Sequence, residues 1–174
     1  SYECELHGVD EQVDGVIERY PEIDGIKTYF ILGDHDGWHF HASGVNIGKL
    51  IDKERDDLVY IGDSYGEADL GNGAKLSLIH PAKGTSYAIS YQVQKLVESL
   101  SGGEKPAILG VSHYHKIEYM FYRNIHCFQN GCIQSQTPWM RRMNLSAHKG
   151  GWIIEATLNK LGVSDLKMEM VPYY

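Results

Sequence analysis

Three short apolar runs in this chain each end in side chains that commonly bind metals, and this pattern restricts the fold more than any other feature. The first run is followed by Gly33-Asp34-His35-Asp36, the second by His80, and the third by Ser112-His113-Tyr114-His115. Apolar runs of this length are typical of buried strands, and α/β enzymes assemble their sites where such strands end. The sequence therefore predicts an α/β fold with a site at the carboxyl ends of three strands.

The residue types at these strand ends indicate the chemistry of the site. A single histidine after a strand is usually an ordinary side chain, but three such segments, one with a His-x-His pair, favour a metal or catalytic site. Imidazole combined with carboxylate favours zinc, manganese, iron or nickel over calcium. Side chains two apart in a strand share a face, so His113 and His115 would face one cavity if the strand continued that far.

Composition excludes several broad classes of protein. A length of 174 residues suits one domain, which we predict to span residues 1–174. The net charge of −7 disfavours a surface dedicated to duplex nucleic acid, although bound divalent metals would offset several negative charges. No apolar run is long enough to span a membrane, and no secretory signal is visible, so no membrane contact is expected. The three cysteines form no CxxC pair, which favours a reduced, cytoplasmic setting.

Hydrophobic periodicity predicts alternating strands and helices at first and mostly strands later, as in sheets packed face to face with helices outside. Helices are predicted at 10–20, 46–56 and 89–100. Strands are predicted at 26–32, 58–61, 67–70, 74–79, 107–111, 117–122, 125–129, 132–136, 152–159 and 166–171. Cys127 and Cys132 flank an Asn-Gly turn signal, so we expect cross-strand neighbours in a hairpin, with zinc binding as the alternative. The Gly-bounded segment 37–44 is interpreted as a loop, and its His39 and His41 as ordinary loop residues rather than ligands.

The three motifs, taken in this order, resemble those of calcineurin-like metallophosphoesterases. Gly33-Asp34-His35-Asp36 resembles the family's Gly-Asn-His-Asp/Glu motif, and His80 fits its single strand-end histidine. Ser112-His113-Tyr114-His115 resembles the Gly-His-x-His motif. The resemblance covers nearly the whole chain and implies the family's four-layer α/β/β/α sandwich. The departures are Asp34, where the family has Asn, and Ser112, where it has Gly.

The resemblance also implies a set of metal ligands. In the family, two divalent ions clamp a phosphate ester and acidify a bridging water, which attacks phosphorus in line. By this resemblance, Asp34, His80 and His113 would bind one ion, with Mn, Zn, Fe or Ni as the cofactor. His115 would reach toward the other ion.

Two further residues take catalytic roles by the same resemblance. His35 would face the phosphate, either stabilising charge on its oxygens or protonating the leaving alkoxide. Asp36 would hold His35 by a hydrogen bond, with a turn or helix-cap role as the alternative. The implied partner is a phosphate-ester substrate, including phosphodiesters or nucleic-acid ends.

The first two motifs of the family, Asp-x-His and Gly-Asp-x-x-Asp, do not occur before Gly33. We therefore expect an N-terminally truncated form of the fold that lacks the bridging carboxylate and hydrolyses phosphodiesters poorly by itself. Its exposed sheet edges would invite self-association. The predicted function is that of a metal-dependent phosphoesterase. The alternatives are a catalytically incomplete module that binds one metal or a partner, and an unrelated hydrolase with a mononuclear site of His80, His113 and His115.

Overall fold

The computed structural model describes residues 5–82 and 84–173 and shows a mixed α/β protein. Its contacts divide the chain into two units, the first ending at Gly66 and the second beginning at Glu67. The predicted α/β fold class is confirmed, whereas the single-domain organisation over residues 1–174 stays a prediction. No helix in the described residues is long and apolar enough to cross a membrane.

Most of the predicted elements are present, with shifts of a few residues at their ends. The helices are, in chain order, α1 (Gly8–Arg19), α2 (Asp34–Ser43), α3 (Ile47–Glu54), α4 (Tyr91–Ser99) and α5 (Pro138–Arg142). The strands are β1 (Thr28–Ile31), β2 (Leu58–Gly62), β3 (Tyr65–Gly71), β4 (Ala74–Ile79), β5 (Ile108–Val111), β6 (Ile117–Tyr122), β7 (Ile125–Asn130), β8 (Gly150–Asn159) and β9 (Gly162–Pro172).

The first unit packs helices onto a two-stranded parallel sheet of β1 and β2. The apolar residues of α1 recur at helical spacing, and the helix ends shortly before Pro21, which cannot continue it. Asn46 caps the start of helix α3, since its side-chain oxygen accepts the backbone N–H of Lys49 at 3.0 Å. The buried core of this unit consists of Val13, Leu32, Ile47, Ile51 and Leu58.

A buried arginine stabilises the end of α1. The guanidinium of Arg55 donates hydrogen bonds to the carbonyl oxygens of Ile17 at 3.0 Å and Tyr20 at 2.8 Å. Its Nε also donates to the Asp57 carboxylate at 2.8 Å. This hydrogen bond raises the pKa of Arg55 and lowers the pKa of Asp57 from its ordinary value. Arg55 therefore donates hydrogen bonds to carbonyl oxygens that lack a donor at the end of the helix, and Asp57 balances the charge of Arg55.

Replacing Asp57 with Asn should destabilise the protein in a pH-dependent way. Because the folded-state pKa of Asp57 is lowered, its stabilising effect is present above the unfolded-state pKa of about 3.8 and is lost as pH falls through the folded value. In urea denaturation, the free energy of unfolding of Asp57→Asn should therefore be lower than that of wild type near neutral pH. In strong acid the two values should be equal. The exposed neighbour Asp56 supplies the control, since Asp56→Asn should change the unfolding free energy little. A difference in unfolding free energy between wild type and Asp57→Asn that stays constant with pH would contradict this prediction.

The second unit contains a five-stranded sheet in the part of the chain that the structure describes, with strand order β3-β4-β5-β7-β6. Strands β4, β5 and β7 run parallel, and β6 pairs antiparallel with β7. Helix α4 packs on one face of the sheet. The core on this face consists of Val93, Val97, Leu109, Val111, Tyr114, Ile125 and Cys127.

The opposite face of this sheet contacts the long antiparallel hairpin of β8 and β9. Phe128 of β7 packs edge-on against Trp152 of β8, with ring centroids 5.5 Å apart. The indole N–H of Trp152 donates to the carbonyl oxygen of Gln129 at 2.9 Å. The amphipathic indole thus joins the hairpin to the sheet through both packing and a hydrogen bond.

The structure corrects the prediction for the segment after β7. Residues 132–136 form no strand, because Gly131, with φ +70°, turns the chain so that Cys132 bridges Lys149 instead. Cys127 and Cys132 are therefore not cross-strand neighbours in a hairpin. Both are free thiols, and Cys4 lies outside the described residues. Cys127 lies in the core, where burial raises the pKa of its thiol to about 12, which disfavours the thiolate that zinc requires.

Candidate metal site

The sheet of the second unit brings two of the predicted histidines together. Strands β4 and β5 are parallel neighbours, with Ile79 opposite Val111, and the N–H of Ser112 donates to the carbonyl oxygen of Ile79 at 3.0 Å. His80 directly follows β4, and His113 lies two residues after the end of β5. Their ring nitrogens, Nε2 of His80 and Nδ1 of His113, lie 3.0 Å apart. The proximity expected from the sequence is thus observed, and their role as metal ligands stays a prediction.

The backbone that presents His113 has an unusual conformation. His113 has φ +76° and His115 has φ +52°, a left-handed region that non-glycine residues rarely adopt. Strand β5 already ends at Val111, so the condition under which strand alternation would align His113 with His115 is not met. Conformations of this kind cost about 1–3 kcal/mol each and persist only where surrounding structure enforces them, most often at functional sites.

Tyr114 provides the anchor that holds this loop. It lies between the two left-handed histidines and is only 6% exposed, as part of the core beneath α4. Its N–H donates to the carbonyl oxygen of Ser112 at 2.9 Å, which closes a tight turn. Burial also raises the pKa of its phenol. A large side chain fixed in the core thus determines where the histidines on either side of it are placed.

His148, which the sequence analysis missed, forms hydrogen bonds that hold the loop of His113 and His115 in place. The N–H of His148 donates to the carbonyl oxygen of His115 at 2.9 Å, and its ring Nδ1 accepts the N–H of Ile117 at 3.1 Å. Because Nδ1 accepts, the proton of the neutral ring lies on Nε2. His148 follows no apolar run and is distant in sequence, so nothing in the local pattern pointed to it. The predicted reach of the His115 side chain toward a second metal stays a prediction.

The spacing of the paired nitrogens fits a shared metal ion. Two imidazoles bound to one ion at about 2.1 Å, and separated by about 90–109° at the metal, place their nitrogens about 3.0–3.4 Å apart. The observed 3.0 Å between His80 and His113 falls in this range. The same separation suits an N–H···N hydrogen bond, so a cation binding here would displace one proton. The rings can therefore act as neighbouring ligands without rearrangement of the strands.

The first predicted motif lies in the other unit, at the start of α2. The N–H of Gly33 donates to the Asp36 carboxylate at 2.7 Å, so Asp36 takes the helix-cap role that the sequence left as the alternative. His35 is exposed, and its ring contacts Trp38 edge-on, with centroids 4.4 Å apart. Asp34 is the exposed first residue of the helix. The metal-binding role of Asp34 and the catalytic role of His35 stay predictions.

The segment 37–44 is helical rather than a loop, which corrects the sequence prediction. It continues α2 up to Ser43, and Gly44, with φ +74°, ends the helix. His39 bonds through Nε2 to the side-chain oxygen of Gln12 at 3.0 Å, which ties α2 to α1. His41 is exposed on the same helix. His39 therefore contacts a neighbouring helix, and the expectation that His39 and His41 are not ligands stays a prediction.

Comparisons with known proteins give similarity of fold at low sequence identity. No family model matches the chain, and no curated protein sequence matches it. A Vps29 mutant from Entamoeba histolytica is 12% identical with a TM-score of 0.43, over 98% of this chain and 96% of that chain. A predicted phosphoesterase from Streptococcus pneumoniae is 14% identical with a TM-score of 0.39, over 83% of this chain and 97% of its own. The likeness assigns no residue a role.

A third similar structure has a different described activity. The sulfate thiohydrolase SoxB from Thermus thermophilus is 11% identical with a TM-score of 0.45, over 85% of this chain and 33% of that chain.

Proposed function

We propose that this chain contributes histidine ligands to the metal site of a metal-dependent phosphoesterase. The observation that supports this most directly is the 3.0 Å separation between Nε2 of His80 and Nδ1 of His113. Both histidines follow the carboxyl ends of adjacent parallel strands, which is where α/β proteins bind their ligands. The resemblance of the three motifs to those of metallophosphoesterases supports the same reaction class.

Each residue of the proposed site has a defined task. His80 and His113 hold a divalent ion, with Mn, Zn, Fe or Ni as candidates, and Asp34 is the carboxylate ligand expected from the sequence. When bound, such an ion polarises a phosphate oxygen and lowers the pKa of a coordinated water. His35 donates a proton to the leaving alkoxide or stabilises negative charge on the phosphate oxygens. We propose a phosphodiester, including a nucleic-acid end, as the substrate and the cytoplasm as the setting.

Metal dependence is the decisive test of this proposal. The protein expressed from its complete reading frame should hydrolyse bis-4-nitrophenyl phosphate, lose that activity on treatment with a chelator, and regain it with added Mn²⁺. Titration calorimetry of this 174-residue chain should show Mn²⁺ or Zn²⁺ binding in preference to Ca²⁺.

Two other outcomes would count against a phosphoesterase. Metal binding without any turnover by the complete protein would favour the alternative, a catalytically incomplete module that binds one metal. Turnover that is unaffected by the chelator, or the absence of metal binding, would contradict the proposal outright.

A further inference from the structure

A basic cleft lies at the edge of the five-stranded sheet opposite to the paired histidines. It encloses about 570 Å³ and is formed where strands β4, β5 and β7 begin. Four connections meet there: the turn between β3 and β4, the loop before β5, the turn between β6 and β7, and the turn between β8 and β9. Small-molecule sites occupy about 300–1,000 Å³, so the volume suits a ligand of metabolite size.

Cations from three of these connections and from the start of β4 line this cleft. Lys75, Lys105, Arg123 and Lys160 contribute to its walls, and Glu104 is the carboxylate among the lining residues. Lys75 is paired with Glu67 at 2.6 Å. In the described ranges, the other three cations form no salt bridge. A chain with a net charge of −7 thus concentrates positive charge in one concave site, which attracts anions.

We propose that this cleft binds a small ligand that carries a diphosphate or triphosphate group. Cations from three separate turns can engage a compact polyanion from several sides. Arg123 can form paired hydrogen bonds with phosphate oxygens, and Lys105 and Lys160 act as mobile point charges. The confined volume and the negative charge of the whole chain favour such a small ligand over a nucleic-acid polymer.

His126 supplies a polar group in the wall of the cleft. It is half-buried, its Nδ1 lies 2.9 Å from the hydroxyl of Tyr119, and its ring packs on Phe121 with centroids 4.7 Å apart. Burial lowers the pKa of His126 from its ordinary value, since the surroundings disfavour the charged imidazole. A polyanion bound nearby would favour the charged form and raise that pKa. His126 therefore provides a spectroscopic reporter of occupancy.

The cleft and the paired histidines are separate sites. Strand β4 runs from Ala74, which lines the cleft, to Ile79, which precedes His80. Five residue steps at about 3.3 Å each separate these ends by about 16 Å. Binding in the cleft can therefore be measured on protein from which metal has been removed, independently of the proposed phosphoesterase function.

Calorimetry with inorganic pyrophosphate and tripolyphosphate tests the proposal. Both should bind the chelator-treated chain with a dissociation constant in the micromolar range. The triple variant Lys105→Gln, Arg123→Gln, Lys160→Gln should bind at least about tenfold more weakly, because it removes three attractive charges. The matched control Arg19→Gln, Lys49→Gln, Lys53→Gln changes net charge equally at exposed positions outside the cleft and should bind within about twofold of wild type.

Proton NMR of His126, assigned with a His126→Gln variant, adds an independent measurement. Pyrophosphate should raise the pKa of His126 in wild type and not in the triple variant. The proposal is overturned if neither anion binds at millimolar concentration, if the triple variant and the control weaken binding equally, or if the pKa of His126 does not move at saturation.

Discussion

Replacing His113 with alanine should abolish metal binding and phosphoester hydrolysis together. The variant removes one of two imidazole nitrogens that lie 3.0 Å apart, and it leaves only His80 and the proposed ligand Asp34, which are too few to hold an ion stably. Loss of groups that merely support a metal ligand already costs 10–100-fold in affinity or activity, so loss of a ligand should exceed about a hundredfold. His80→Ala should behave in the same way.

The complementary variant His35→Ala should separate metal binding from catalysis. If His35 only protonates or stabilises the phosphate, metal affinity should remain near wild type while turnover falls by about a hundredfold or more. Metal content and binding can be measured on this chain, and turnover of bis-4-nitrophenyl phosphate on the protein from its complete reading frame. The exposed His41 supplies a matched control, since His41→Ala should change neither quantity.

Retention of full metal affinity by His113→Ala would remove the basis of the proposed site.

Leu109→Ala should strongly destabilise the protein. Leu109 is 2% exposed in the core between the sheet and α4, and alanine would leave a cavity there. We expect a loss of about 2–5 kcal/mol in the free energy of unfolding. Urea denaturation followed by far-ultraviolet circular dichroism measures this loss.

Leu161 offers the same substitution in a contrasting environment. It is 97% exposed at the turn between β8 and β9. Leu161→Ala should therefore change the free energy of unfolding by no more than about 0.5 kcal/mol. Equal effects of the two substitutions would show that the core around Leu109 does not contribute to stability as described.

Continuous apolar runs and turn residues made the central strands predictable from the sequence. The run that forms β5 is buried at every position, and the Gly-Asn-Gly turn before β4 marks the strand start clearly. Helix α2 was missed because none of its residues is buried, so it has no apolar stripe. Helix α5 spans only five residues, too few to show periodicity, although Thr137 and Pro138 are ordinary helix-start residues.

The site was predictable only in part, because some of its features depend on contacts between residues distant in sequence. The proximity of His80 and His113 follows from parallel neighbouring strands, because their carboxyl ends share one edge of the sheet. The left-handed backbone at His113 and His115 and the contacts of His148 depend on residues distant in sequence. Tertiary contacts of this kind leave no local pattern that a single sequence can show.

The buried ring of Tyr114 has a consequence for how this protein can evolve. Both neighbours of Tyr114 are histidines, so their positions depend on a side chain that belongs to the hydrophobic core. A substitution beneath α4 that shifts this ring would displace both imidazoles at once, without altering either of them. Selection on the chemistry of the site therefore extends into the packing of the core, where neutral drift is restricted by the function of two histidines outside it.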